Sequence, residues 1–384
     1  MLHIRAIAIA PLLVILAGSA AMAGDDGSDK KDHGNAPRPF TYAVIGDTPY
    51  GAPQVANFTN DIAEINADGD VRLILHVGDI KNGSSVCSDS YFQTVKDGFQ
   101  SSVDPLVYTP GDNEWTDCHR ANNGSYDPVE RLAKIREVFF PRRNRTLGAD
   151  SREVTSQRGT TIENATWKQG RVQFATVHVV GSNNSWLPWT GQTVPTQAQA
   201  DEYAARNAAD LAWLDRVFDE GEDARAIVIG IQADMWDGAF SGPNDQPAAY
   251  DHFTDFVQKL ARKTLRFGKP VLLINGDSHV FTDDFPLSAS APAYQRAMYG
   301  VTTPVPNLHR ITVNGSTTNC HEWLKLTVDA DSPSIFSYQR VRYHNQPGQP
   351  HGLPGVLTGA VPLADHGPGA TRHRGRSVPG AGLD

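Results

Sequence analysis

The stretch Val71–Gly83, VRLILHVGDIKNG, decides how the chain is read. Five of its first seven residues are apolar, and the run ends in Gly78-Asp79 and a polar loop. Such a run predicts a buried strand that delivers a carboxylate at its carboxyl end, which is where open α/β sheets bind ligands. Three other segments repeat the design. TYAVIGDTPYG places Asp47 after a strand over 41–45, and PVLLINGDSHVF places Asp277, with His279 two residues on, after a strand over 270–274. PLVYTPGDNEW carries Asp112, Asn113 and Glu114. Four hydrophobic segments ending in Gly-Asp predict oxygen ligands converging at a sheet edge, the makings of a metal site.

The rest of the chain sets limits on this reading. The N-terminus, MLHIRAIAIAPLLVILAGSAAMAGDD, has one Arg, an apolar run and an Ala21-Met22-Ala23 step. It predicts a secretory signal over 1–23, too short and wrongly flanked for a stable membrane anchor. Export to a periplasmic or extracellular space follows. Residues 24–38 are charged and Gly-rich and predict a flexible leader; 39–344 predict the folded domain, and 345–384 a Gly/Pro-rich tail without structure. The formal net charge of −9 argues against broad binding to a nucleic-acid backbone. It permits an anionic substrate, because a bound cation reverses the local field. Cys87 and Cys118 each follow a Gly-Asp strand end. If those strands are neighbours, an oxidising compartment makes their disulfide sensible, and Cys320 is left over.

Between the motifs, helical periodicity covers 54–66, 91–99, 128–139, 201–220 and 252–265. Asp127-Pro128 supplies a cap and a first-turn proline. Strands are expected over 104–109, 162–167, 172–180 and 226–231, the last running into GIQADMW with Gln232. After Asn307 the pattern becomes antiparallel strands without helices. The arginines at 142, 143 and 145 read as a solvated basic loop or as an anion patch.

The order D…GD…GDNE…Q…GDSH resembles the calcineurin-like metallophosphoesterases over about residues 40–340. In that family the strand ends read D-x-H, G-D, G-N-H-D/E, a lone His and G-H-x-H around a two-metal centre. The resemblance implies a four-layer α+β/α/β sandwich, two mixed β-sheets flanked by helices. It carries the metal-ligand role onto Asp47, Asp79 (the bridging carboxylate), Asp112, Gln232, Asp277 and His279. Asn113 stands where the family has the His that assists the leaving group, and Pro49 where D-x-H has its His. Asn113 can donate a hydrogen bond but not a proton, so His178, His119 and His76 are weighed as general acids, with Glu114 orienting a partner. Replacing imidazole by oxygen donors moves the preference toward one or two Mg²⁺, Mn²⁺ or Ca²⁺ ions over zinc or iron. The expected activity is hydrolysis of a small phosphorylated substrate, a monoester or a diester. The alternative is a non-catalytic descendant that binds a phosphorylated ligand, a metal or a protein partner.

Overall fold

A computed structural model describes residues 38–237, 250–319, 322–344 and 357–360. Two β-sheets are stacked between helices. The first opens with β1 (Phe40–Ile45), α1 (Gly51–Asn66), β2 (Val71–His76), α2 (Asp89–Gln100) and β3 (Leu106–Tyr108). These strands are parallel, with Ile45 beside His76 and His76 beside Tyr108. The second sheet takes β4 (Thr155–Ser156), β5 (Ala165–Gln169), β6 (Val172–Thr176), β7 (Ala226–Gly230), β8 (Val271–Asn275), β9 (Thr282–Asp284) and β10 (Leu308–Thr312). The chain then returns to the first sheet through β11 (Glu322–Val328) and β12 (Phe336–Arg342). With β13 (Leu357–Ala360), the sheet orders are β13-β12-β11-β1-β2-β3 and β4-β5-β6-β7-β8-β10-β9.

The layers follow from strand periodicity. Side chains alternate between faces, so Tyr42, Val44, Leu73 and Leu75 point into the core shared with Phe174, Val228, Leu272 and Ile274 of the other sheet. Ala43, Ile45 and Ile74 point outward and meet Phe58, Ile62, Phe92 and Phe99 of α1 and α2. On the far side, Ile227, Ile229 and Leu273 are covered by Trp213 and Leu214 of α4 (Gln197–Glu220) and by Phe256 and Leu260 of α5 (Thr254–Phe267). Strands covered on both faces have no polar side to show, hence the nearly unbroken apolar runs. α3 (Pro128–Phe139) starts as expected, Asp127 accepting the Glu130 N–H ahead of a first-turn proline.

Several elements fall outside the sequence reading, the short strands β4 and β9 among them, and two bear on the expectations above. Leu357–Ala360, in the tail expected to lack structure, pairs antiparallel with β12 as an edge strand; an open sheet edge is a template for such pairing. Gly181–Ser185, expected as loop, is a left-handed turn, with φ of 53–64° at Ser182, Asn183, Asn184 and Ser185. Residues 1–23, most of the leader, Cys320 and the rest of the tail lie outside the described residues. No described helix is long and apolar enough to cross a membrane.

Candidate metal centre

The four Gly-Asp motifs meet at the carboxyl ends of the strands. Asp47 follows β1, Asp79 follows β2, Asp112 follows β3 and Asp277 follows β8. A carboxylate oxygen from each of Asp79, Asp112 and Asp277 lies within 4.8 Å of the others. Asp47 touches the group from the side, accepting the Asp277 N–H at 3.0 and 3.2 Å. His279 Nε2 stands 3.5 Å from Asp47 Oδ1. Asp47 and Asp79 are fully buried.

The backbone around these side chains is unusual. Asp47, Asp79, Asp277 and His279 all have positive φ, 52, 56, 74 and 65°. The left-handed region costs a non-glycine residue about 1–2 kcal/mol, so four such residues in one site are held there by their surroundings. Main chain also forms the walls. A Cβ on Gly111 would lie 2.0 Å from Asp79 Oδ1, one on Gly276 2.2 Å from Asp47 Oδ2, and one on Gly181 2.8 Å from Asp277 Oδ1.

Burial pushes the acids of Asp47, Asp79 and Asp277 well up from the usual carboxylate range, and their neighbouring carboxylates add to the shift. Among the described residues no lysine or arginine contacts these three carboxylates, and an all-oxygen set of this kind suits a divalent ion. Lys81 lies just behind, fully buried, its Nζ donating to Asn82 O, Asn113 O and Asn123 Oδ1 at 2.6–2.8 Å. Burial brings this amine down to about 8.

The remaining expected residues divide. Asn113 faces the centre, its Nδ2 donating to Asp79 Oδ2 at 2.8 Å and to Tyr50 Oη at 3.0 Å. Glu114 is buried behind it, where Oε1 accepts Tyr108 Oη–H and Gly111 N–H, both at 2.6 Å. It shapes the PGDNE turn. Gln232 reaches the cluster through its amide: Nε2 donates to Asp112 Oδ1 at 3.1 Å while Oε1 accepts the Gly181 N–H at 2.6 Å. In this arrangement its oxygen is committed to backbone. Among the described residues no contact joins His178 to the carboxylates. Its neighbours Val177 and Val179 pack under the outer helices, and its ring turns to Glu163, 2.7 Å from Nδ1, and to Trp115. His76 is satisfied by Thr48 O and Gly78 N, and burial lowers it to about 4. His119 sits against Trp189 and Thr190.

Two hydroxyls in the site carry no signal in the motif. Tyr50 Oη lies 3.4 Å from Asp47 Oδ1, 3.2 Å from Asp79 Oδ2 and 3.5 Å from His279 Nε2. It stands among three expected ligands, one residue beyond the proline that replaces the histidine. Ser182, from the left-handed turn, donates to Asp112 Oδ2 at 2.6 Å. That turn is pinned by Arg206, whose Nη1 meets Asn184 Oδ1 and Nη2 meets Asn184 O, and by Asn183 donating to Asp251. The Cys87–Cys118 disulfide is present, and both sulfurs lie 3.9 Å from Asn113 O.

The model of the calcineurin-like phosphoesterase family matches residues 40–281. Among solved structures the chain is similar to GAP50, the anchor in the inner membrane complex of Plasmodium, at 10% identity and TM-score 0.43, covering 83% of this chain and 88% of that one. It is also similar to the purple acid phosphatase PPD1 from yellow lupin seeds, at 10% identity and TM-score 0.43, covering 84% of this chain and 54%, about half, of the lupin chain. No curated protein sequence matches.

Proposed function

Since the chain belongs to the calcineurin-like phosphoesterase family, we propose that it is an exported phosphoesterase that hydrolyses a phosphate monoester or diester with divalent cations held by Asp47, Asp79, Asp112, Asp277 and His279. The observation that carries this reading is the convergence of Asp79, Asp112 and Asp277 within 4.8 Å on the ends of three buried strands. Export is supported by the signal-like N-terminus and the Cys87–Cys118 disulfide.

A divalent ion held by these residues would supply Lewis-acid polarisation of the phosphoryl group and a more acidic water at neutral pH. The chain supplies placement. Asp79 shares Tyr50 Oη with Asp47 and has an oxygen within 4.8 Å of Asp112 and Asp277, which suits it to the bridging role the family resemblance gives it. Thr317 Oγ1, 2.6 Å from His279 Nδ1, fixes the ring with Nε2 turned to Asp47 and Tyr50. Asn113 Nδ2 would serve a phosphoryl oxygen by exchanging its bond to Tyr50 Oη while keeping the one to Asp79. Because an amide yields no proton, esters of acidic alcohols should turn over best. Gln232 acts by holding Asp112 and the Gly181 backbone together.

The test is metal content by elemental mass spectrometry on the purified protein, with hydrolysis of aryl phosphate mono- and diesters across added Mg²⁺, Mn²⁺, Ca²⁺ and Zn²⁺. Bound metal, and turnover lost in Asp79→Asn, support the proposal. The absence of both bound metal at millimolar supply and turnover refutes it, and metal without turnover marks the binding protein instead.

A further inference from the structure

Outside the ring of oxygens, one buried cation grips the loop that carries Asp277 and His279. The geometry points to Arg310 as a positioning residue that sets the cation affinity of the Asp277 side of the centre, an inference that rests on the metal-dependent reading above. Arg310 stands in β10 and is 3% exposed. Its guanidinium is shared between two aspartates. Nη1 lies 2.5 Å from Asp234 Oδ1, while Nε and Nη2 reach Asp284 Oδ1 and Oδ2 at 2.9 and 2.8 Å.

Each aspartate controls one end of the loop. Asp284 is the cross-strand neighbour of Arg310 in β9, directly after the loop. Asp234 lies just beyond β7, where its Oδ2 accepts Ser278 Oγ–H at 2.7 Å and its N–H donates to Asp277 Oδ2 at 3.1 Å. The path from Arg310 to a candidate ligand is therefore one side chain long.

The loop needs such a grip for two reasons already visible in its geometry. Asp277 and His279 hold left-handed backbone, a conformation that persists only where the surroundings over-determine it. The Asp277 carboxylate is also held against those of Asp79 and Asp112. Without the guanidinium, Asp234 becomes a buried carboxylate lacking its cation, a strongly unfavourable state. Asp234 would then turn away and take Ser278 and the Asp277 contact with it. A lysine ammonium cannot reproduce a fork that serves Asp284 with two nitrogens and Asp234 with the third.

The experiment measures Mn²⁺ binding by isothermal titration to the full apo protein and to Arg310→Met, Arg310→Lys, Asp284→Asn and Asp277→Asn, with thermal midpoints recorded with and without metal. Partners that orient ligands typically change metal affinity by about 10–100-fold when removed. Arg310→Met is expected in that range, and Arg310→Lys and Asp284→Asn between it and wild type. Wild-type Mn²⁺ affinity in folded Arg310→Met, beside lost affinity in Asp277→Asn, overturns the positioning role. Should Arg310→Met fail to fold, Asp284→Asn decides, because its side chain is 31% exposed and the change weakens two of the three nitrogen contacts that hold the guanidinium in place; unchanged affinity there is equally fatal. Asp277→Asn binding Mn²⁺ like wild type would sink the metal reading itself. A merely structural Arg310 would lower the midpoints of apo and loaded protein together and leave the affinity untouched.

Discussion

Asp277→Asn should make the metal-free protein more stable while removing its response to metal. Asp277, Asp79 and Asp112 present oxygens within 4.8 Å of one another, and one such contact between full charges is repulsive by about 3 kcal/mol at an effective dielectric constant near 20. The amide keeps the Oδ acceptor for the Asp234 N–H and turns a donor toward Asp112. The sign with pH follows from the raised pKa of Asp277, caused first by burial and then by Asp112 and Asp47. An acid whose pKa is raised on folding weakens the fold progressively as pH climbs from its unfolded to its folded value, and fully above that. It contributes nothing below the unfolded value near 3.8, where both states are protonated. The variant's advantage is therefore absent at pH 3–4 and opens as pH rises, toward roughly 3 kcal/mol, or some 6–12 °C in Tm at about 2–4 °C per kcal/mol. Wild type regains the difference on adding Mn²⁺, and the variant does not. Scanning calorimetry of both proteins from pH 4 to 8, with chelator and with metal, tests this. An apo variant that melts at or below wild type at pH 8, and still shifts with metal, refutes the reasoning.

Three further outcomes are expected. Lys81→Met leaves Asn82 O, Asn113 O and Asn123 Oδ1 without their shared donor; at about 1–3 kcal/mol per orphaned group, urea unfolding should show a loss of at least roughly 3 kcal/mol. Replacing Cys87 and Cys118 by Ala opens a loop of sequence separation 31, worth about 3–4 kcal/mol in the chain-entropy account, read as a lower urea midpoint that reductant no longer changes. Gly111→Ala puts a methyl 2.0 Å from Asp79 Oδ1 and 2.5 Å from Asp79 N, so metal titration should show at least a tenfold weaker site, and wild-type affinity would contradict the wall described here.

Much of this was legible because strand ends are written in a short vocabulary. An apolar run followed by Gly-Asp states that the strand is buried and that a carboxylate leaves its end, which is where Asp47, Asp79, Asp112 and Asp277 stand. The family the sequence resembles is the one it belongs to. The left-handed turn at Ser182–Ser185 was not legible: neither Asn nor Ser at those positions demands positive φ. Arg206 and Asp251, distant in sequence, impose it. Tyr50 carries no signal in the sequence, and only the fold brings its hydroxyl among Asp47, Asp79 and His279. Gln232 stands out only through the family order, where it takes the place of the lone His, but which of its amide atoms faces Asp112 depends on the Gly181 N–H across the site. Arg310 and Asp284 share a β-pair whose short strand β9 has too few residues to show a period.

The glycine walls bear on how this protein can change over generations. A cavity lined by side chains is enlarged or narrowed one substitution at a time, but Gly111, Gly181 and Gly276 press main chain against the carboxylates. No single replacement at these positions can make the centre smaller without displacing a ligand, and none can make it larger. If the centre acts as proposed, a change of substrate is expected through the surrounding loops, such as 113–126 and 186–196, with the centre itself unchanged.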